Sequence, residues 1–277
     1  MKVGVVGAGQ MGVQLALLFS SIAEVVFIVR DIDKADGILK KNYRLLNRSS
    51  SLVKMSLDRV VVKDEYEGLH GCNYIFEAVT EDRLIKGDVL KLISDAVCPN
   101  AIIATNTSTL SVTDLSQKVI EPGRFLGCHF FNPATLIPLV EVSSGEHTNE
   151  RCKEQMVSLL SSLKFKYLFL DETPGFVVNR ALFLMLNEAI CMVDEKVSSV
   201  KEIDSAFKIT LGHPMGPLSL CDFIGLDTCL SILTNLHNEL GDQKYRPSKL
   251  LVKKVRANKL GKKTGEGFRV YRSKIVK

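Results

Sequence analysis

Nowhere does this chain string together the roughly 18 to 20 charge-free apolar residues that a membrane-spanning helix needs. The longest candidate, Val177 to Val193, is broken by Asn179, Arg180, Asn187 and Glu188. Seven cysteines occur, but no Cys-x-x-Cys pair and no metal-ligand spacing, so no metal site is expected. Scattered thiols in odd number read as buried and reduced, which argues against a disulfide framework. Charge of one sign is scarce as well. With 36 Lys and Arg against 31 Asp and Glu the net charge is +5, too small to argue for nucleic acid yet compatible with a polyanionic ligand. Internal repeats and low-complexity segments are missing. A strand pattern begins at Lys2-Val3, so no targeting segment is expected and the cytoplasm is the expected location.

What remains is a globular composition, 46% hydrophobic and 24% charged, in a chain of 277 residues that can hold two domains. Through roughly residue 170, short β-type runs alternate with helical patterns. Val3–Val6, Val25–Val29, Val60–Val62, Tyr74–Phe76, Ala101–Ala104 and Phe125–Cys128 read as buried strands. Met11–Ser21, Lys34–Leu46 and Ile85–Val97 read as helices, and Ser111-Val-Thr-Asp114 as a capping box opening another. This alternation predicts an α/β doubly wound, mostly parallel sheet with helices on both faces. After Asp171-Glu-Thr-Pro-Gly175 only helices are predicted, the first apolar nearly all round and therefore expected to be buried, within the chain or against a partner subunit. The expected domains are 1–172, of Rossmann type, and 173–277, all-α.

Gly7-Ala-Gly9-Gln10-Met11-Gly12 follows the first strand and opens a helix, the context a Gly-x-Gly-x-x-Gly dinucleotide loop requires. The first glycine permits a tight turn, the second close approach of backbone to a pyrophosphate, the third close packing of helix on strand. Free N–H groups at the helix start then face the anion. Asp31, about twenty residues beyond Gly12, ends the second strand and is placed to take the ribose hydroxyls of NAD. Arg30 precedes it and could instead receive the 2′-phosphate of NADP.

His129 ends the predicted sixth strand, on the side of such a sheet where ligands bind. Imidazole can take a hydroxyl proton while hydride leaves the same carbon. Glu141 lies in the apolar run Leu139-Val-Glu-Val142, and a buried carboxylate needs a partner. His129 is the natural one, either as a catalytic pair or as an ion pair confined to the core. Ser108 sits in the polar loop Ala104-Thr-Asn-Thr-Ser-Thr109, able to donate to a substrate oxygen or merely to loop backbone. Asn179 projects from an apolar helix and needs a partner. His213 and the isolated cysteines read as structural, and the basic run Lys253–Lys263 as a solvated helix face.

Taken together these residues resemble the short-chain 3-hydroxyacyl-CoA dehydrogenases, including 3-hydroxybutyryl-CoA dehydrogenases. The similarity runs through Val6–Gly12, Ile75-Phe-Glu-Ala-Val79 with Glu81, Ala104–Leu110, His129-Phe-Phe-Asn-Pro133 and Leu139–Val142. It continues through Pro174-Gly-Phe-Val-Val-Asn-Arg180, His213–Pro217, Asp222–Asp227, Lys244–Pro247 and Leu260–Phe268. The resemblance implies NAD-dependent oxidation of a short-chain acyl-CoA in fatty acid metabolism, with His129 as base and Glu141 its partner. It implies that Ser108 and Asn179 contact substrate, that Glu81, Lys86, Ser108 and Asn132 lie along the cofactor, and that the helical domain forms a homodimer.

Two stretches depart from the family pattern. The family carries a long helical hairpin after the second strand that helps hold coenzyme A, and here Lys34–Glu67 is short, with serine-rich Ser49-Ser-Ser51 at its centre. Ala134-Thr-Leu-Ile-Pro138 replaces the usual proline, methionine and lysine, closer to relatives acting on free 3-hydroxy acids such as gulonate and carnitine.

Overall fold

The computed structural model describes residues 1–49 and 53–271, so Ser50 and Ser51 lie outside the described residues. Eight strands form one sheet: β1 (Lys2–Val6), β2 (Glu24–Ile28), β3 (Val60–Lys63), β4 (Tyr74–Glu77), β5 (Ile102–Thr105), β6 (Phe125–Phe130), β7 (Leu139–Ser144) and β8 (Lys166–Asp171). Their spatial order is β3-β2-β1-β4-β5-β6-β7-β8. The first six are parallel, β7 is antiparallel to β6, and β8 runs parallel to β7. The doubly wound, mostly parallel sheet expected from the sequence is therefore present. Strand β8, which the apolar-run reading did not single out, is an added edge.

Helices α1 (Gln10–Phe19), α2 (Ile32–Ser49), α3 (Arg83–Ala96), α4 (Val112–Ser116) and α5 (Glu150–Ser162) cover the sheet. Period-two alternation sorts strand side chains between the faces. Val3, Val5, Val25, Phe27, Phe76, Leu126, Cys128, Val140 and Val142 pack with α1, α2 and α5, whereas Val6, Val26, Ile75, Ile103 and Phe125 pack with α3 and α4. Both faces are apolar, so each central strand reads as a continuous hydrophobic run. Full burial of a Phe27 or a Leu15 stabilises the layer by about 1.5 to 3 kcal/mol each.

One local expectation is corrected. Only half of the capping box forms at α4: Ser111 Oγ accepts Asp114 N–H at 3.0 Å, but the Asp114 carboxylate turns to Arg83 instead. A guanidinium within reach outcompetes a single backbone donor. In the short segment after β2, α2 is one long helix, and described residues 53–63 contain only a single helical turn (Leu57–Arg59) before β3. The second helix of a hairpin is therefore missing among the described residues.

Compact units divide at Phe176/Val177, a few residues beyond the expected boundary, because Phe176 is buried in the first unit. The second unit comprises α6 (Val178–Asp194), α7 (Val200–Leu211), α8 (Pro217–Ile224), α9 (Leu226–Leu240) and α10 (Lys249–Arg256) around one core. Helix α6 is not buried all round within this chain. Phe183, Leu186, Asn187, Ala189 and Ile190 are buried, while Leu182, Leu184 and Met192 stay partly open. Buried Asn187 is satisfied by the 246–248 turn, donating to Arg246 O at 3.0 Å and accepting from Ser248 N–H at 2.9 Å. No single helix among the described residues is long and apolar enough to cross a membrane.

Candidate active site

A cleft of about 920 Å³ opens beyond the carboxyl ends of β1, β2, β4 and β5, where strand order reverses around β1 and β4. Its floor is the Gly7–Gly12 loop. Gly7 has φ +113°, and a Cβ there would stand 2.7 Å from Ala78 O. On Gly12 a Cβ would fall 1.7 Å from Gly7 O, so the loop folds back on α1 only because both side chains are absent. Gly9 caps α1 without a side-chain hydrogen bond, and the first turn holds no acidic residue. Gly9, Gln10 and Met11 line the cleft, leaving the positive end of α1 open to an anion.

Asp31 and Arg30 both line the far end of the cleft, with Lys34, Asp64 and Tyr66 beside them. Asp31 also starts α2: its Oδ1 accepts Lys34 N–H at 3.0 Å. An open pyrophosphate seat, close glycine packing and an acidic residue at the end of β2 together fit a dinucleotide.

At the other end of the sheet's carboxyl rim stands His129. Its neighbours Cys128 and Phe130 point into the α1/α5 core, so the imidazole points to the opposite face. Glu141, between Val140 and Val142, does the same, and the antiparallel register sets the two residues directly opposite each other. His129 Nδ1 lies 2.7 Å from Glu141 Oε2, and Glu141 is fully buried. Because an ionised carboxylate only accepts, the geometry assigns the ring proton to Nδ1 and leaves Nε2 as an acceptor. Ser108 Oγ is 3.4 Å from that Nε2. Phe176 stacks on the imidazole with ring centroids 5.4 Å apart, and Phe131 meets its edge at 4.9 Å. The arrangement supplies a held imidazole with one nitrogen available for proton exchange.

Glu81 lines the cleft and ties the loops after β4 and β5 together. Its Oε1 accepts from Thr107 Oγ1 at 2.6 Å, Ser108 N–H at 2.7 Å and Thr109 N–H at 3.1 Å. Burial opposes its ionisation, but the Lys86 ammonium and these three donors outweigh it and hold the carboxyl below the usual range. Lys86 itself does not reach the cleft, contrary to the expectation that it lies along the cofactor. Its side chain is fully buried, with the ammonium 2.9 Å and 3.1 Å from the two oxygens of Glu77 and 3.4 Å from Glu81. Two carboxylates draw it inward, and it acts on the cleft through Glu81.

Asn132 is exposed and accepts from Gln14 at 2.9 Å and Gln10 at 3.3 Å, which places it beside the cleft floor. Asn179 lies in the first turn of α6, in the second unit. Sequence reasoning assigned no role to Glu77, Thr107, Asn106 or Phe176. Glu77 carried a usable signal, a carboxylate inside a buried strand with a lysine one helical turn into the next helix. Asn106 carried none: its Oδ1 accepts Phe130 N–H at 2.9 Å, a contact between distant segments.

Known proteins resemble this chain over both of its units. Residues 2–170 match the NAD binding domain of 3-hydroxyacyl-CoA dehydrogenase, and residues 175–271 match its C-terminal domain. A probable 3-hydroxybutyryl-CoA dehydrogenase of Deinococcus radiodurans is 40% identical over 98% of this chain and 100% of its own length. The 3-hydroxybutyryl-CoA dehydrogenase of Clostridioides difficile is also 40% identical, over 98% and 99%. The crystal structure of (S)-3-hydroxybutyryl-CoA dehydrogenase from Ralstonia eutropha superposes with a TM-score of 0.91 at 36% identity, covering 98% of this chain and 99% of that one. With both domains matched in order over nearly all its length, this chain belongs to the 3-hydroxyacyl-CoA dehydrogenase family and takes NAD as its cofactor.

Proposed function

We propose that this enzyme oxidises the C3 hydroxyl of a short-chain (S)-3-hydroxyacyl-CoA, with His129 as general base and Glu141 as its positioning partner. The observation that carries the reading is the pair itself, a buried carboxylate 2.7 Å from the far nitrogen of an imidazole at the sheet's binding rim. Gly7, Gly9, Gln10, Met11 and Gly12 would hold the pyrophosphate, and Asp31 the adenosine ribose. Ser108 and Glu81 would border the nicotinamide end, with Asn132 beside them through Gln10. The chemistry NAD supplies when bound is acceptance of a hydride at its nicotinamide.

Within the protein, the work is proton handling. His129 Nε2 takes the hydroxyl proton as the C3–H bond breaks, and Glu141 stabilises the imidazolium that results. Ser108 Oγ, within reach of the same nitrogen, donates to the substrate oxygen and aligns it. Asn179 is assigned a second substrate contact. In the reductive direction the same groups return the proton.

Phe131 and Phe176 pack against the ring and limit water around it. We place the enzyme in the cytoplasm and in fatty acid metabolism, as a homodimer through the helical unit. That unit exposes Val197, Ile209, Leu211 and Phe223 at 65%, 82%, 60% and 56%. These exposed apolar side chains are what supports an interface on this unit.

Spectrophotometric assay of acetoacetyl-CoA against free acetoacetate, with NADH and separately with NADPH, tests the proposal. Faster turnover of the thioester with NADH is expected. Equal or faster turnover of the free acid would move the enzyme to the gulonate- and carnitine-like group, as the single helix after β2 and Leu136-Ile-Pro138 would then suggest.

A further inference from the structure

Helix α1 carries two glutamines one turn apart, Gln10 and Gln14, which share a face and reach the loop after β6. Gln10 is exposed and lines the cleft, whereas Gln14 is only 3% exposed. A buried amide must find partners for both of its ends. The backbone N–H of Ala134, itself fully buried, can only donate, so the Gln14 atom 2.7 Å from it is Oε1. That leaves Nε2 at the other end, 2.9 Å from the Asn132 side chain, where an N–H requires an acceptor. Asn132 therefore turns its Oδ1 toward α1. Gln10 Nε2 reaches the same oxygen at 3.3 Å. With its carbonyl taken by two donors, the Asn132 amide directs Nδ2 and its two N–H groups away from the helix. One backbone N–H thus sets the polarity of two amides in series.

We propose that Gln14 is a positioning residue of the cofactor site: by fixing the Asn132 amide, it presents Nδ2 as a donor to the carbonyl oxygen of the nicotinamide carboxamide. The inference rests on the dinucleotide and base assignments proposed above. Asn132 stands three residues beyond His129 and is tethered to the start of α1, where the pyrophosphate is seated. Hydride passes between the substrate carbon held at His129 and the nicotinamide, so the ring lies between base and pyrophosphate, beside Asn132. A glutamine that served the fold alone would need only the Ala134 contact. Its second arm goes instead to an exposed asparagine, whose carbonyl water would satisfy equally well, and two glutamines converge on that one oxygen.

The polarity of Asn132 has a chemical readout. A carboxamide offers both an acceptor oxygen and a donor nitrogen, so NAD can meet an Asn132 of either polarity by rotating its own amide. The 3-acetylpyridine analogue of NAD cannot, because its acetyl group accepts and does not donate.

Isothermal titration of NAD and of that analogue into the full-length native protein, Gln14→Met and Asn132→Asp tests the relay, with Tm and kcat/KM measured on the same preparations. Gln14→Met keeps the volume but frees Asn132 to turn over. Its affinity for the analogue should fall about three- to tenfold more than its affinity for NAD, the contribution of one neutral hydrogen bond. Asn132→Asp has no donor left, and there the analogue should lose at least as much relative to NAD. Gln14→Glu covers the case in which Gln14→Met does not fold, since it keeps an acceptor for Ala134 N–H. At about pH 9, far above the ordinary carboxyl range, its carboxylate accepts from Asn132 Nδ2 and reverses the amide, with the same selective loss expected. Equal losses for the two dinucleotides in a folded Gln14 variant would make Gln14 part of the fold only and overturn the proposal, as would native affinity for both. An Asn132→Asp protein with native selectivity would overturn it together with the place of Asn132 in the cofactor site. Selective loss in Asn132→Asp but in neither Gln14 variant would leave that site standing and overturn the role of Gln14 alone.

Discussion

Replacing Lys86 by Met tests how the cleft is held, because it removes one buried ammonium while keeping a long, apolar stem. In the native protein that ammonium sits 2.9 Å and 3.1 Å from Glu77, and both side chains are fully buried. After the substitution Glu77 keeps only Val79 N–H at 2.7 Å and Thr105 Oγ1 at 2.6 Å, with its charge uncompensated. Removing one member of a buried ion pair costs about 3 to 5 kcal/mol. The contact with Glu81, 3.4 Å long at a carboxylate one-third exposed, is partly screened and adds a smaller share. At about 2 to 4 °C per kcal/mol for a unit of this size, Tm should fall by roughly 6 to 20 °C.

The chain has no tryptophan, so urea unfolding is best followed by far-ultraviolet circular dichroism. The pH dependence has a definite sign. Burial opposes the charge on Lys86, but Glu77 and then Glu81 outweigh it and hold the ammonium above its ordinary range. Its stabilisation is complete below about pH 10.4 and is lost as pH rises through the folded value. Glu81, held below its ordinary range, contributes fully above about pH 4.3, and its share is lost as pH falls. The stability difference between native and Lys86→Met proteins should therefore be flat across neutrality and shrink at both extremes. Glu77→Gln/Lys86→Met should recover at least half of the loss, because no unpaired charge remains. A Lys86→Met protein within about 1 kcal/mol of native would refute the buried-pair reasoning.

Four further outcomes are expected. His129→Gln should lower kcat by about 10² to 10⁴ while NADH affinity, read by isothermal titration, stays near native; normal single-turnover chemistry in the folded variant would leave the pair a core ion pair only. Glu141→Gln should do less harm to proton transfer, and the double variant should be little worse than His129→Gln, since deletions within one catalytic unit are not additive. Asp31→Ala should weaken NADH binding and relax discrimination against NADPH; a native preference for NADPH would make Arg30 the reading residue. Gly12→Ala should abolish cofactor binding, because its Cβ would overlap Gly7 O at 1.7 Å, and dinucleotide affinity retained within tenfold would contradict the loop geometry.

Much of the site was legible because it depends on short-range pattern. A glycine loop after a β run, an acid at the end of the next strand, and a histidine at a strand's carboxyl end all follow from local spacing and parallel topology. Cross-strand pairing of His129 with Glu141 was also readable, since two apolar runs about twelve residues apart and joined by a turn place their polar members opposite one another. The position of Lys86 was not. Whether a lysine faces a cleft or turns inward depends on which carboxylates the fold assembles around it. Glu77 on β4 and Glu81 beyond it decided that. The capping box at α4 failed for the same reason, Arg83 arriving from another helix to claim Asp114.

What the sequence by itself determined, then, is what repeats every two or four residues or sits in one loop: the sheet and its two apolar faces, the helical second unit, and the glycine seat at α1. The tertiary structure alone decided which buried charges share a partner. It brought Phe176 onto His129, joined Glu77, Lys86 and Glu81 beneath the cleft, and left β8 as an apolar edge. Each of these requires residues far apart in the chain to meet, and pairing at that range is set by sheet order and loop closure, which no local period encodes.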